Sequence, residues 1–306
     1  MSTWHKTIDE VVNSVERVVL GKRPHIRLAL ACLLARGHLL IEDVPGMGKT
    51  TLAQALARVL GLDYSRIQFT SDLLPADIIG VSVYDRDQSS FEFHPGPVFN
   101  QLVLADEINR TTPKTQSALL EAMSEGQVSV DGTTRSLPQP FFVVATQNPS
   151  TQYGTFPLPE SQLDRFLMRI ELGYPDPESE RRLLSGSNPR AQLSGLSAVI
   201  TADQLVAIQL DVDAIQVSEA LVDYVHRLAQ HTRELPDLEH GVSPRGALAL
   251  LQGARAWALM DGRHYVIPED VQAVFGAVVG HRLQSYSSGE PVAAVLQQVL
   301  NSVDII

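Results

Sequence analysis

Apolar residues recur along this chain at two different periods. From residue 7 to 20 they fall at Ile8, Val11, Val12, Val15, Val18 and Val19, the spacing of one helical face. "PHIRLALACLLARG" predicts a second helix, with Pro24 near its start and Gly37 at its end. The period then changes. "HLLIE" is a short apolar run, a buried strand. "GKTTLAQALARVLG" returns to helical spacing through Leu52, Ala53, Leu56, Val59 and Leu60, and Gly61 stops it. "QLVLADE" and "FFVVATQ" read as two more buried strands and "MRIEL" as a fourth. Between the second and third lies "TTPKTQSALLEAMSEG", a helix with a Thr cap, Pro113 near its first turn and a stripe through Leu119, Ala122 and Met123. Strands alternating with helices predict an α/β fold, a parallel sheet covered on both faces. "VSVYDRDQSSFEFHPGPVF" and "GQVSVDGTTRSLPQP" are hairpin-like excursions from it.

A composition break at "YPDPESE", near residue 175, ends the alternation, and the pattern is helical almost throughout after it. Helix starts are expected at Thr201, with Gln204 completing a capping box, and at Ser218, Ser243-Pro244 and Pro268. The expected organisation is an α/β domain over 1–175 and a smaller helical domain over 176–306.

The 306 residues suffice for two such domains. A formal net charge of −11 argues against a broad nucleic-acid footprint, although a local basic patch is compatible with it. The single cysteine, Cys32, sits in the apolar run "LALACLLA" and reads as a buried structural thiol. The longest apolar stretches are too short for a transmembrane segment, and "MSTWHKTIDEVV" has no signal-peptide pattern, so a cytoplasmic location is expected.

The chemistry is concentrated at strand ends. "HLLIEDVPGMGKTT" joins a strand to a helix and reads as a phosphate-binding loop, G-x-x-x-x-G-K-[ST], with Asp43 where the first glycine should stand. The phosphate donors of such a loop are backbone N–H groups at its helix end, where Gly46 and Gly48 lie. Asp43 is at the strand end, so its carboxylate can point away. Lys49 supplies a charge to the β- and γ-phosphates, and Thr50 a hydroxyl to Mg2+. Asp106 and Glu107 close the strand "LVLADE" and allow both metal binding and polarisation of an attacking water. Asn148, after the strand "FFVVATQ", can orient that water; alternatively Asn148-Pro149 is an ordinary turn. Arg165 in "ESQLDRFLMRI" can neutralise transition-state charge, or pair locally with Asp164 or Glu160. Arg245 in "VSPRGALALL" stands in a first helical turn, where the helix dipole disfavours a cation and an anion would compensate; a solvated arginine is the alternative.

Together these stretches, with "FTSDLLPADIIG", "FHPGPVFNQLVLADEINRTTPKTQSALLEAMSEGQV" and "SPRGALALLQGARAWALMDGRHYVIPEDV", resemble the MoxR family of AAA+ ATPases along almost the full length. An Asp at the position of Asp43 is familiar there. The resemblance implies a P-loop NTPase (AAA+) core with a C-terminal helical lid, and ATP with Mg2+ as cofactors. It implies a Walker A loop formed by Asp43, Val44, Pro45, Gly46, Met47, Gly48, Lys49 and Thr50, with Thr51 beside it, and an adenine contact at "VVLGK", which contains Gly21. Asp106 and Glu107 become the Walker B pair, Asn148 sensor 1, Arg245 sensor 2, and Arg165 the arginine finger, with Arg110 and Arg169 as alternatives. Residues 72–97 resemble the helix-2 insertion of this clade and 125–140 the hairpin before sensor 1. A hexameric ring hydrolysing ATP at subunit interfaces is the implied assembly. A separate protein with a von Willebrand factor A domain is the implied partner. The leading expectation is an ATPase that remodels or matures a protein partner. A metal-chelatase-type motor subunit, a nucleotide switch with little turnover and a DNA-directed motor are the alternatives.

Overall fold

The computed structural model describes residues 4–148, 155–185, 189–236, 238–285 and 292–305. Two helices come first, α1 (His5–Glu16) and α2 (Arg23–Leu34). The buried face of α1 is made by Ile8, Val11, Val12 and Val15, as the periodicity predicts. The helix stops at Glu16 because residues 17–21 turn, ending at Gly21 with φ +68°. Strand β1 (His38–Glu42) and helix α3 (Lys49–Val59) follow, then β2 (Tyr64–Gln68), the short α4 (Pro75–Ile79) and an antiparallel hairpin of β3 (Gly80–Asp85) and β4 (Ser90–Pro95). Strand β5 (Leu102–Asp106) leads to α5 (Pro113–Glu125) and a second hairpin, β6 (Gln127–Val130) with β7 (Thr133–Ser136). Strand β8 (Phe142–Gln147), the single turn α6 (Glu160–Leu163) and β9 (Phe166–Ile170) complete the first part.

The sheet is parallel, in the order β2-β5-β8-β1-β9. It has five strands where four are legible as apolar runs. The additional one, β2, is an edge strand on which only Ile67 is buried, so it carries no apolar run. The last strand begins two residues before "MRIEL", at Phe166. Alternate residues of the inner strands serve two separate cores. Leu39, Ile41, Leu104 and Val144 join one, and Leu40, Val103, Ala105 and Val143 join the other.

The remaining elements are α7 (Pro177–Leu184), α8 (Pro189–Ser194), α9 (Ala202–Asp213), α10 (Glu219–Glu234), α11 (Pro244–Met260), α12 (Pro268–Val279) and α13 (Val292–Ser302), with a small antiparallel pair of β10 (Leu238–His240) and β11 (Gln284–Ser285). Thr201, Ser218 and Ser243 cap α9, α10 and α11 through their side chains, and Thr201 and Gln204 form the reciprocal box. Thr112, by contrast, makes no side-chain cap on α5. Leu205, Tyr224, Leu250 and Val274 from these helices share one core with α1, α2 and one face of the sheet. No helix among the described residues is long and apolar enough to cross a membrane.

His38 ties the sheet to α5. Its Nδ1 accepts from the Val143 N–H at 3.1 Å, and its Nε2 lies 3.1 Å from the Met123 carbonyl at the end of α5. Burial lowers its pKa from 6.5 to about 4. The folded state holds the neutral ring while the unfolded chain takes up a proton below its ordinary pKa. Stability present above pH 6.5 is therefore lost as pH falls towards 4, by about 3 kcal/mol at the limit. Denaturant unfolding at pH 7.0, 5.5 and 4.5 should show this loss in the wild type. A His38→Gln variant, less stable at pH 7, should lose less over the same range; parallel losses would refute the assignment.

Candidate functional site

All five main strands run the same way, so the residues following β1, β5 and β8 gather at one edge of the sheet. There the loop 43–48 leads into α3. Gly46 and Gly48 have φ of +89° and +90°, which L side chains rarely adopt, and a Cβ on either would face open space. The N–H groups of Gly46, Met47 and Gly48 have no acceptor among the described residues. Those of Lys49 and Thr50 belong to a first helical turn, which leaves its donors unpaired. Lys49 Nζ is gathered under the loop by the Asp43 carbonyl, the Val44 carbonyl at 3.4 Å and Asn148 Oδ1 at 3.1 Å. Burial lowers its pKa, and Asp43, Asp106 and Glu107 oppose that shift.

The carboxylate of Asp43 does turn away from the donors. One oxygen accepts from its neighbour Val44 N–H at 2.8 Å and the other from Gly173 N–H at 2.6 Å, beyond β9. Two further contacts join this region to the segment entering α7. Lys22 Nζ donates to the Tyr174 carbonyl at 2.5 Å, and Gly21 lies so close to Asp176 and Ser179 that a Cβ there would overlap both side chains. Val18, Val19, Lys22, Met47, Gly48, Thr51, Pro175 and Leu183 line a cleft of about 220 Å3 beside the loop. Gly21 is in the adjacent groove with Asp176, not in the cleft.

Asp106 and Glu107 meet the loop from β5. Thr146 Oγ1 donates to Asp106 Oδ1 at 2.6 Å and accepts from the Glu107 N–H at 2.9 Å, so one hydroxyl fixes both residues. Glu107 has φ +57° and ψ +50°, a left-handed backbone that stores about 1–3 kcal/mol of strain in a non-glycine residue. Its carboxylate accepts from Asn148 Nδ2 at 3.1 Å, Gln68 Nε2 at 3.2 Å and Arg110 Nη1 at 2.9 Å. Asn148 thus bridges Lys49 and Glu107; Pro149, beside it, lies outside the described residues. Asp106 Oδ2 lies 3.5 Å from Thr50 Oγ1 and accepts from Arg66 Nε at 3.1 Å and Nη2 at 2.6 Å.

Thr50 and Asp106 fit Mg2+ chemically. Both offer hard oxygen donors to one space, and Mg2+ takes one or two protein oxygens and fills its shell with phosphate and water. Among the described residues no cluster of three or more His, Cys, Asp or Glu could hold a metal ion.

Arg165 and Arg245 are elsewhere. Arg165 Nη1 donates to the Leu120 carbonyl at 2.7 Å and to Ser124 on α5. Arg245 Nε is 3.8 Å from Asp164 Oδ2. Both line a cavity of about 230 Å3 with Gly37, His38, Asp164 and Arg282. His38 begins β1 and Gly37 directly precedes it, whereas the phosphate-type loop follows the strand's end. The arginines are thus at the opposite sheet edge, one strand length or roughly 16 Å away. Arg169 is not with them: it pairs with Glu42 at 2.9 Å, and Arg110 pairs with Glu107 in its own chain.

Residues 38–168 match the model of the ATPase family associated with various cellular activities (AAA), and residues 230–299 match the AAA lid domain. The chain is 45% identical to the Bacillus subtilis (strain 168) protein YeaC, over 98% of this chain and 95% of that one. It is 42% identical to Chaperone MoxR1 of Mycobacterium tuberculosis (strain H37Rv), over 90% of this chain and 75% of that one. The chain belongs to the MoxR family of AAA+ ATPases. A crystal structure of a Cytophaga hutchinsonii protein, 38% identical, superposes with a TM-score of 0.89 over 98% of this chain and 95% of that one. The α/β core with its helical lid is therefore the AAA+ fold, and nucleotide binding is the property this MoxR-family fold implies.

Arg66, Gln68 and Thr146 complete the loop edge, and Arg282 the arginine edge, without a local sequence motif to mark them. Arg66 and Gln68 alternate on β2, opposite Leu104 and Asp106, so the parallel register rather than any local motif brings them to the acidic pair. Arg66 and a metal ion would draw on the same oxygen of Asp106. A partly exposed ion pair is worth up to about 1 kcal/mol, so Arg66→Ala should lower the half-saturating Mg2+ concentration for nucleotide binding by about two- to fivefold. Metal titration of a fluorescent ATP analogue measures this. An unchanged or raised requirement would show that Arg66 supports the metal site instead of competing with it.

Proposed function

We propose that the protein hydrolyses ATP at sites shared between adjacent copies in a ring, hexameric by family default, and uses the cycle to remodel or mature a protein partner. The observation that carries this reading is the separation of the polar groups onto opposite edges of one sheet. Lys49, Thr50, Asp106, Glu107 and Asn148 meet at the loop edge, and Arg165 and Arg245 at the other. No hydrogen bond or ion pair among the described residues joins the two groups. Phosphoryl transfer gains much from a guanidinium on the γ-phosphate; Arg66 and Arg110 of the same copy are held by Asp106 and Glu107, and its Arg165 and Arg245 are a strand length from the loop. A neighbour in a head-to-tail arrangement would bring its arginine edge to the loop.

In this reading the loop N–H groups and Lys49 hold the phosphates, and Thr50 and Asp106 would hold Mg2+, which would supply charge neutralisation there. Glu107 accepts a proton from the attacking water that Asn148 helps to orient. Val18, Val19 and Lys22 form the wall for adenine. The exposed hairpin of β3 and β4, with Tyr84 and Phe91 stacked edge-to-face at 5.3 Å, is a surface for the partner. The name of the M. tuberculosis relative supports a chaperone role, and a separate von Willebrand factor A domain protein is the partner expected. One observation favours a switch with low basal turnover: three side-chain donors hold the Glu107 carboxylate, so the base must be freed before it acts.

The test is steady-state ATP hydrolysis against protein concentration. Specific activity should rise with concentration. Lys49→Ala and Arg165→Ala should each lose roughly a hundredfold or more, and an equal mixture of the two should regain activity. A wild type that binds ATP and stays silent at every concentration would favour the switch. A mixture as inactive as its components would refute the shared site.

A further inference from the structure

Beyond the end of α12 the chain buries a guanidinium. The side chain of Arg282 is 5% exposed, and all five of its N–H donors are taken. Nε donates to Asp164 Oδ1 at 2.7 Å. Nη2 donates to the carbonyls of Asp164 at 3.2 Å and Phe166 at 2.8 Å. Nη1 donates to the carbonyl of Leu167 at 3.1 Å and to that of Val278. Four of these five acceptors belong to 164–167, the turn that carries Arg165.

The stem of the same side chain meets the other arginine's support. A Cβ built on Gly246 would come within 3.1 Å of Arg282 Cδ and 3.5 Å of Nε. Gly246 follows Arg245 in the first turn of α11, whose cap is the Ser243 hydroxyl. Arg245 in turn reaches the second oxygen of Asp164, the carboxylate that Arg282 already holds. One buried side chain therefore hydrogen-bonds one of the backbone segments that present the arginine pair and runs alongside the other, with no room between for a Cβ at Gly246 in ordinary contact.

Burying a guanidinium is unfavourable unless its charge is paired and every donor is met. An apolar side chain could fill the same space without that desolvation. What it could not do is orient a carboxylate and three carbonyls of one turn through a rigid planar fork.

We infer that Arg282 is a positioning residue for the shared ATPase site: it locks the 164–167 turn to the start of α11, so that Arg165 and Arg245 present together to the phosphates of an adjacent copy. The inference rests on the shared-site reading above. Arg282 itself touches no nucleotide.

The test uses full-length Arg282→Gln and Arg282→Lys, with Arg165→Ala as reference. Melting temperature, binding of a fluorescent ATP analogue and hydrolysis are measured for each variant, alone and mixed with Lys49→Ala. Arg282→Gln should bind the analogue as the wild type does and lose turnover by about tenfold to a hundredfold, the effect of misplacing a catalytic group by about 1 Å. Mixing should restore it to the level of the Arg165→Ala mixture, because its own loop is intact. Arg282→Lys should fall between the two. Full turnover in Arg282→Gln, or a loss that mixing does not restore while Arg165→Ala is restored, would overturn the inference and leave the shared site standing. Full turnover in Arg165→Ala would overturn both. Should Arg282→Gln fail to fold, Asp164→Asn removes the paired carboxylate from a part-exposed turn, and unimpaired turnover there would also overturn the inference.

Discussion

The ammonium of Lys49 is the interaction on which the loop edge depends. Its three acceptors are two carbonyls at the strand end of the loop and the Asn148 amide oxygen. With the Asp43 and Val44 carbonyls drawn inward, the N–H groups from Gly46 onward are left facing away, as an anion site requires. Because Asn148 Oδ1 accepts from Lys49, its Nδ2 faces Glu107. The charge also explains why Asp43 is compatible with the loop: its carbonyl serves Lys49, while its carboxylate is spent on Gly173 and on its own neighbour. A carboxylate that already accepts two backbone N–H bonds and points out of the nest does not oppose a phosphate at the helix end.

The other edge also gathers cations. Arg165, Arg245, Arg282 and Arg36 surround one cavity with Asp164 as its acidic residue, and Arg36 is paired with Asp213 at 2.5 Å, on a chain whose formal charge is −11. Asp164 divides its two oxygens between Arg282 and Arg245, and Arg165 is left with a carbonyl and a hydroxyl, which do not neutralise it. Such an excess of positive charge is self-repulsive and is relieved by an incoming anion.

Legibility from sequence followed how local each feature is. The loop, the acidic pair and Asn148 stand at the ends of apolar runs, and each is recognisable within about ten residues. The helix caps at Thr201, Ser218 and Ser243 are equally local. β2 escaped because an edge strand with one buried residue lacks the apolar run by which inner strands are found. Arg66 and Gln68 escaped with it, since only strand register sets them against Asp106 and Glu107. For Arg165, the sequence leaves open a local pair with Asp164 or Glu160; the Asp164 carboxylate is held instead by Arg282, 118 residues away in the chain, and by Arg245. At Arg245, in a first helical turn, the helix dipole calls for a compensating anion. Asp164 at 3.8 Å supplies part of it, and the remainder is what the cavity leaves open to a further anion.

The two edges are also joined mechanically, through the helices. At the loop edge three contacts bind the segment leading to α7: Asp43 to Gly173, Lys22 to Tyr174, and Gly21 against Asp176 and Ser179. At the far edge the end of α12 grips the Arg165 turn through Arg282. Between these points α11 and α12 share a core with α2 and β9, and densely packed cores transmit displacement more readily than they absorb it. Gly173 has φ +61°, so the segment turns at a residue free to adopt other backbone angles. A shift of Asp43 when phosphate fills the loop would thus reach the helical lid at its entry and leave it at the arginine edge. In the shared-site reading proposed above, that path would let what one copy binds alter the arginines it offers to its neighbour.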